Sequence, residues 1–158
     1  MTRNLPHDTY IDHIADALAA VGLDVADGWT SDAETVGTYC YLDAVLTLDT
    51  DTTGLDPERW PNGLILIWEW HTGLEDGEPE RGAYWEWAEL RGNHGGNEQP
   101  ESLPIDGFAN PVQVAAAVHE LITTGKAVKA RPGQWDGTAG LEAAIEKWTD
   151  AEAGGSDA

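Results

Sequence analysis

The chain has a single cysteine, Cys40, among its 158 residues. An intrachain disulfide is therefore excluded, and so is a zinc site built from several cysteines. The serines are Ser31, Ser102 and Ser156, and none lies in the G-x-S-x-G turn that presents a hydrolase nucleophile. The sequence thus indicates no catalytic nucleophile. We expect Cys40, which stands between two tyrosines in a β-rich segment, to be a buried and inert thiol.

Long hydrophobic runs are also absent, because no apolar stretch approaches the ~20 residues of a membrane-spanning helix. The first residues lead into an amphipathic stretch without the apolar core of a signal peptide. With the lone cysteine, these features favour a cytoplasmic protein. The length and the apolar fraction of 41% indicate one globular domain over residues 1–150, followed by a flexible acidic tail over 151–158.

Basic residues are scarce: 8 lysines and arginines stand against 29 acids, for a net charge of −21. The first lysine is Lys126, and only four arginines precede it. Affinity for nucleic acid comes mainly from neutralising phosphates with basic side chains, so direct binding to DNA or RNA is not expected. Anionic membrane surfaces are disfavoured for the same reason. A basic protein surface is the partner that this charge favours.

Three segments have the patterns of amphipathic helices. Residues 7–21 carry an apolar stripe at helical period, with Pro6 at the start and Gly22 at the end. Asn110 and Pro111 predict the start of a second helix, with asparagine as the N-cap and proline at the first position, and it ends near Gly125. The last helix is predicted from apolar residues at the same period: Leu141, Ala144, Ile145 and Trp148.

Between the first two helices the sequence favours β-structure. Segments rich in β-branched and aromatic residues predict strands, and glycine- and proline-containing segments predict loops. A helix, a run of strands and two further helices are typical of an α+β fold. We predict an antiparallel sheet of three to four strands, with the N-terminal helix and both C-terminal helices packed mainly on one face. The predicted strands are 38–49, 63–71 and 83–91, with a further short strand allowed within 23–37, and the loops are 72–82 and 92–106.

The motif Trp-Glu-Trp occurs twice, at residues 68–70 and 85–87. Because side chains alternate across a strand, both tryptophans of each motif share a face. Pairing with residue numbers that sum to 155 would set Trp68 against Trp87 and Glu69 against Glu86. All four indoles would then lie on one face and both carboxylates on the other. We expect the tryptophans to form the core, although an exposed aromatic platform for a partner is the alternative.

Glu69, Glu86 and the nearby His71 invite a catalytic pair or a metal site, since close carboxylates raise a pKa and a histidine completes a ligand set. Two glutamates on an exposed sheet face are more often simply solvated. The chain also lacks the H-E-x-x-H and P-loop motifs. We therefore expect no catalytic residue, no metal and no cofactor.

Two parts of the sequence resemble a known family. The resemblance lies in the opening segments Pro6 to Ile11, Ile14 to Leu18 and Gly22 to Val25, and in the later Asn110-Pro111 with Val114 to Val118. These segments are similar to those of small acidic actinobacterial proteins, often of mobile-element or phage character. The resemblance covers about a third of the chain. It implies a bacterial cytoplasmic origin and no assigned activity.

The sequence therefore favours a non-catalytic binding protein that contacts a basic protein surface, as inhibitors, adaptors and DNA mimics do. A nucleic-acid-binding protein is one partner with such a surface. One alternative is a small enzyme that uses Glu69, Glu86 and His71, and another is a housekeeping domain whose acidity reflects a saline cytoplasm. The carboxylates expected to contact a partner lie on the strands and on the loop between them: Glu69, Glu75, Asp76, Glu78, Glu80, Glu86 and Glu89.

Overall fold

The computed structural model describes residues 5–31, 41–71, 82–92, 96–103, 105–125 and 135–154. Cys40, residues 72–81 of the predicted loop and residues 155–158 of the predicted tail lie outside these ranges. Three helices and five strands are present in the described part of the chain. In chain order they are α1 (Asp8–Ala20), β1 (Asp27–Ser31), β2 (Tyr41–Leu48), β3 (Leu64–His71), β4 (Gly82–Glu89), β5 (Glu101–Ser102), α2 (Pro111–Thr124) and α3 (Thr138–Gly154).

The strands form one antiparallel sheet in the order β1-β2-β3-β4-β5. The predicted α+β fold is confirmed, but the sheet has five strands where three to four were expected. β1 is the short strand that was allowed within the segment 23–37. The added strand is β5, which falls in the predicted loop 92–106 and consists of two residues paired with Glu86 and Trp87. A strand this short has no periodicity to reveal it and exists only because the edge of β4 offers backbone partners.

The helix boundaries follow from local chemistry. The Asn110 side chain accepts a 2.9 Å hydrogen bond from the Val112 amide, which caps α2, and Pro111 stands at its first turn. Gly125 ends the helix with φ of 79°, a left-handed conformation that glycine adopts without a Cβ clash. Among the described residues, no helix is both long and apolar enough to cross a membrane.

The core lies between the three helices and one face of the sheet. On β2 and β3, alternate residues are buried, as expected when only one sheet face is covered. All four tryptophans of the two motifs point into this core, with exposures of 0% to 8%. The prediction that they share a buried face is confirmed. The same core holds the buried residues of the helices, including Tyr10, Ile14, Leu18, Val114, Val118, Leu121, Leu141 and Ile145.

The predicted register of the β3–β4 hairpin is wrong by two residues. Trp68 lies opposite Trp85, Leu66 opposite Trp87, and Trp70 opposite Ala83. A shift of two keeps every side chain on its predicted face, because the strand period is two. The observed register spreads the indoles over three rows instead of two. Trp87 then packs edge-on against Trp60, with ring centroids 6.1 Å apart.

Tyr10 of α1 connects the helices to the sheet through hydrogen bonds of its hydroxyl group. Its hydroxyl donates a 2.7 Å hydrogen bond to the Ala109 carbonyl, just before α2, and accepts a 3.3 Å hydrogen bond from the Trp85 indole N–H. Burial raises the pKa of Tyr10 well above its usual value, so the phenol stays neutral and keeps its donor. This buried network fixes which face of the sheet the helices cover.

Candidate functional site

The sheet face opposite the core carries no described helix, and we call it the helix-free face. Its side chains lie in rows that the strand register defines. One row crosses Trp29, Val45, Ile67 and Glu86. The neighbouring rows are Asp27, Thr47, Ile65 and Ala88 on one side, and Ser31, Asp43, Glu69 and Tyr84 on the other.

Half of the helix-free face is apolar. Val45, Ile65 and Ile67 are half-buried and lie outside the contiguous hydrophobic core, because the core occupies the other face. Trp29 stands at the end of this apolar strip with 51% of its surface exposed, and Tyr84 is 38% exposed. Exposed aromatic side chains beside aliphatic ones are the usual composition of a protein-binding surface.

The other half of the face is acidic. Asp43 of β2 lies directly across from Glu69 of β3, and Glu86 of β4 occupies the adjacent row. We call these three residues the acidic trio. Glu69 and Glu86 are diagonal neighbours rather than the directly opposed pair that the sequence predicted, and long side chains reach across that diagonal. Their carboxyl groups are joined by a hydrogen bond, and the Glu69 carboxylate lies 4.0 Å from Nε2 of His71.

The environment of Glu86 changes its proton affinity. Partial burial disfavours the charged form, and the Glu69 carboxylate both accepts a hydrogen bond from the protonated form and repels the ionised one. These effects raise the pKa of Glu86 from 4.5 to about 7. The helix-free face therefore gains one negative charge as the pH rises through neutrality.

Glu86→Gln should remove a specific pH dependence of stability. The folded state holds the Glu86 proton more tightly than the unfolded state, so the free energy of unfolding of the native chain falls as pH rises from 4.5 to about 7. Because Glu86 is partly exposed, solvent screening limits this contribution to about 1 kcal/mol. Urea unfolding at pH 5 and pH 8 measures this effect. Relative to the native chain, the free energy of unfolding of Glu86→Gln should be higher at pH 8 than at pH 5 by that amount.

The control for this measurement is Glu142→Gln, which changes an exposed carboxylate on α3. Its stability difference from the native chain should be nearly the same at both pH values. If the stability difference between Glu86→Gln and the native chain were also the same at pH 5 and pH 8, the raised pKa of Glu86 would be contradicted.

The predicted contact residues are only partly brought together. Glu69 and Glu86 share the helix-free face, as the alternation predicted. Glu89 lies on the same side of β4 as Trp85 and Trp87, at the end of the strand and across from Leu64, so it does not join them. The remaining predicted contacts lie outside the described residues: Glu75, Asp76, Glu78 and Glu80.

Sequence reasoning missed three residues of this face. Tyr84 lies opposite Glu69 in the β3–β4 pairing, whose predicted register was wrong, and Asp43 lies opposite Glu69 in the β2–β3 pairing, for which no register was predicted. Trp29 lies in β1, a segment with no clear alternation. The signal that was available is the run Ile65, Ile67 and Glu69, which gives this side of β3 one apolar and one acidic end.

No group of three or more histidines, cysteines and acids placed to hold a metal ion occurs within the described ranges. The acidic trio consists of carboxylates, and His71 is the imidazole that lies 4.0 Å from one of them, Glu69, so this part of the face carries negative charge. No protein-family model, curated protein or solved structure matches this chain. The function must therefore be inferred from the geometry and charge of this face.

Proposed function

We propose that this chain is a non-catalytic binding protein whose helix-free face contacts a basic protein surface. The observation that carries the proposal is the composition of that face. An apolar strip that ends in the exposed Trp29 adjoins the carboxylates of the acidic trio. Inhibitors, adaptors and DNA mimics belong to this class.

The apolar strip would supply the desolvated centre of the interface. Binding energy concentrates in buried aromatic and aliphatic anchors, whereas charged groups at the rim mainly set orientation and association rate. Trp29 is the largest exposed side chain on the strip, and Val45 and Ile67 continue it toward the acidic trio. A partner that buries an apolar patch and places lysines or arginines beside it would match both halves of the face.

The net charge of −21 supports a basic partner and disfavours nucleic acid. A field of this sign attracts cationic surfaces and accelerates their encounter. Screening limits its reach to about 8 Å at physiological salt, so the carboxylates nearest the contact decide the energy. A DNA-binding protein is one partner with a suitable surface, and competition with DNA for that protein would mark this chain as a DNA mimic.

A salt series tests this function with a defined probe. The full chain should bind an oligolysine peptide, and the affinity should fall several-fold between about 0.05 and 0.5 M salt as the charges are screened. A duplex DNA of similar length should not bind at any of these concentrations. Affinity for oligolysine that does not change with salt would contradict an electrostatic contact, and binding to the DNA would contradict the partner class.

One observation favours a second candidate, acid–base chemistry at Glu86. A carboxyl group with a pKa of about 7 beside another carboxylate is suited to donate a proton near neutral pH. Four cavities are lined by residues within the described ranges, and neither Glu69 nor Glu86 lines any of these four. Glu86→Gln separates the candidates at pH 6, where the amide imitates the protonated acid for binding but cannot donate its proton.

A further inference from the structure

The sheet brings the carboxyl groups of Glu69 and Glu86 together without placing a basic side chain of a strand between them. The two residues lie on adjacent strands of the helix-free face, and their carboxyl groups are joined by a hydrogen bond. Such a bond requires a proton on one of the two groups, because an ionised carboxylate can only accept. None of the five strands of the described sheet contains a lysine or an arginine. Within the sheet, a proton therefore stands where a cation would otherwise balance the pair.

No charged side chain of the described sheet lies directly opposite Glu86. Its cross-strand neighbours are the apolar Ile67 of β3 and the uncharged Ser102 of β5. His71 belongs to the row beyond Glu69, so Glu69 stands between the imidazole and Glu86. The titratable groups that face Glu69 come one each from β2, β3 and β4: Asp43, His71 and Tyr84. The charge on Glu86 is therefore decided by its partial burial and by its contact with Glu69.

A lysine or arginine side chain of a partner can replace the proton of this pair. Both glutamates are partly exposed, with 22% of the Glu69 side chain accessible. A cation beside two carboxyl groups favours the ionised form of both, and charge-assisted hydrogen bonds to carboxylates are about twice as strong as neutral ones. When the cation binds, the O–H bond of the Glu86 carboxyl group breaks and the proton passes to water or buffer. The pair is left with two negative charges beside the bound cation.

We propose that the Glu69–Glu86 pair exchanges its shared proton for a cationic side chain of the partner, so that binding releases a proton and weakens in acid. This inference rests on the proposed function and adds its regulation. By linkage, a ligand that favours the ionised pair binds more tightly as pH rises. While Glu86 is protonated in the free chain, each pH unit changes the affinity by up to about tenfold. Above about pH 7 the dependence levels off, because Glu86 is then already ionised.

Calorimetric titration of the full chain with oligolysine, in two buffers that differ in ionisation enthalpy, counts the protons exchanged. At pH 6 we expect release of about one proton per bound peptide, and at pH 8 almost none, because Glu86 holds its proton only below about pH 7. The affinity of the native chain should rise several-fold over the same interval. Oligolysine binding without proton release at pH 6 would overturn the exchange and leave the proposed function intact. Absence of binding at both pH values would overturn both.

Two variants change the pair from either side. Glu86→Gln has no proton to lose, and Glu69→Gln removes the carboxylate that helps to hold the proton, so both should release less than the native chain at pH 6. The matched control is Glu142→Gln at an exposed position on α3, which should release as much as the native chain. Proton release that persists undiminished in Glu86→Gln would assign the proton to another group, such as His71, and would overturn the proposal.

Discussion

Trp68→Ala should lower the free energy of unfolding by about 3–5 kcal/mol, the cost of removing a large buried aromatic side chain and leaving a cavity. Trp68 is fully buried at the centre of the sheet. Its ring stacks on His7 at a centroid distance of 5.2 Å and also contacts Tyr10 and Phe108, and its indole N–H donates a 2.8 Å hydrogen bond to the Gly107 carbonyl. The variant loses contacts with α1 and with the segment that precedes α2, so all layers of the domain are weakened together.

The matched control is Trp29→Ala, the same substitution at a tryptophan that is 51% exposed. Its effect on stability should stay near about 0.5 kcal/mol, since little packing is lost at such a surface position. Denaturant unfolding of both variants measures the contrast. Equal losses of stability would mean that the core does not lie on the tryptophan face of β3.

The helices and the sides of the strands could be predicted from sequence because both depend on local, periodic signals. Asn110, Pro111 and Gly125 give the ends of α2, since capping and chain termination act over one turn. The placement of Trp68, Trp70, Trp85 and Trp87 on one buried face follows from alternation alone. A register error of an even number of residues leaves that placement unchanged.

The register and the smallest strand required information that the sequence does not carry locally. The choice between Trp85 and Trp87 as the partner of Trp68 depends on how the indoles fill the space under the helices, including the contact of Trp87 with Trp60. The two residues of β5 are extended because they pair with the edge of β4. Glu101 and Ser102 have no strand propensity from which this strand could be predicted.

The acidic character of the candidate site was predictable from the sequence, but the full set of its residues was not. Negative charge and the shared side of Glu69 and Glu86 follow from composition and alternation. Asp43, Tyr84 and Trp29 join them only through cross-strand neighbours that lie far apart in the chain.

Charge reversal on the helix-free face should lower affinity for a basic partner by at least about tenfold, because it replaces two attractions with two like-charge contacts. The double variant Glu69→Lys with Glu86→Lys changes two members of the acidic trio without touching the buried tryptophans. The matched control, Glu142→Lys with Glu146→Lys, makes the same change in net charge at exposed positions on α3. Circular dichroism of both proteins verifies that the fold is retained.

The affinity of these two double variants for oligolysine at pH 8, where Glu86 is ionised in the native chain, tests the central claim most directly. If the helix-free face is the binding surface, the variant on β3 and β4 loses most of its affinity and the variant on α3 stays close to the native chain. Equal losses in the two variants would show that only the total charge matters, and would contradict a binding site on this face.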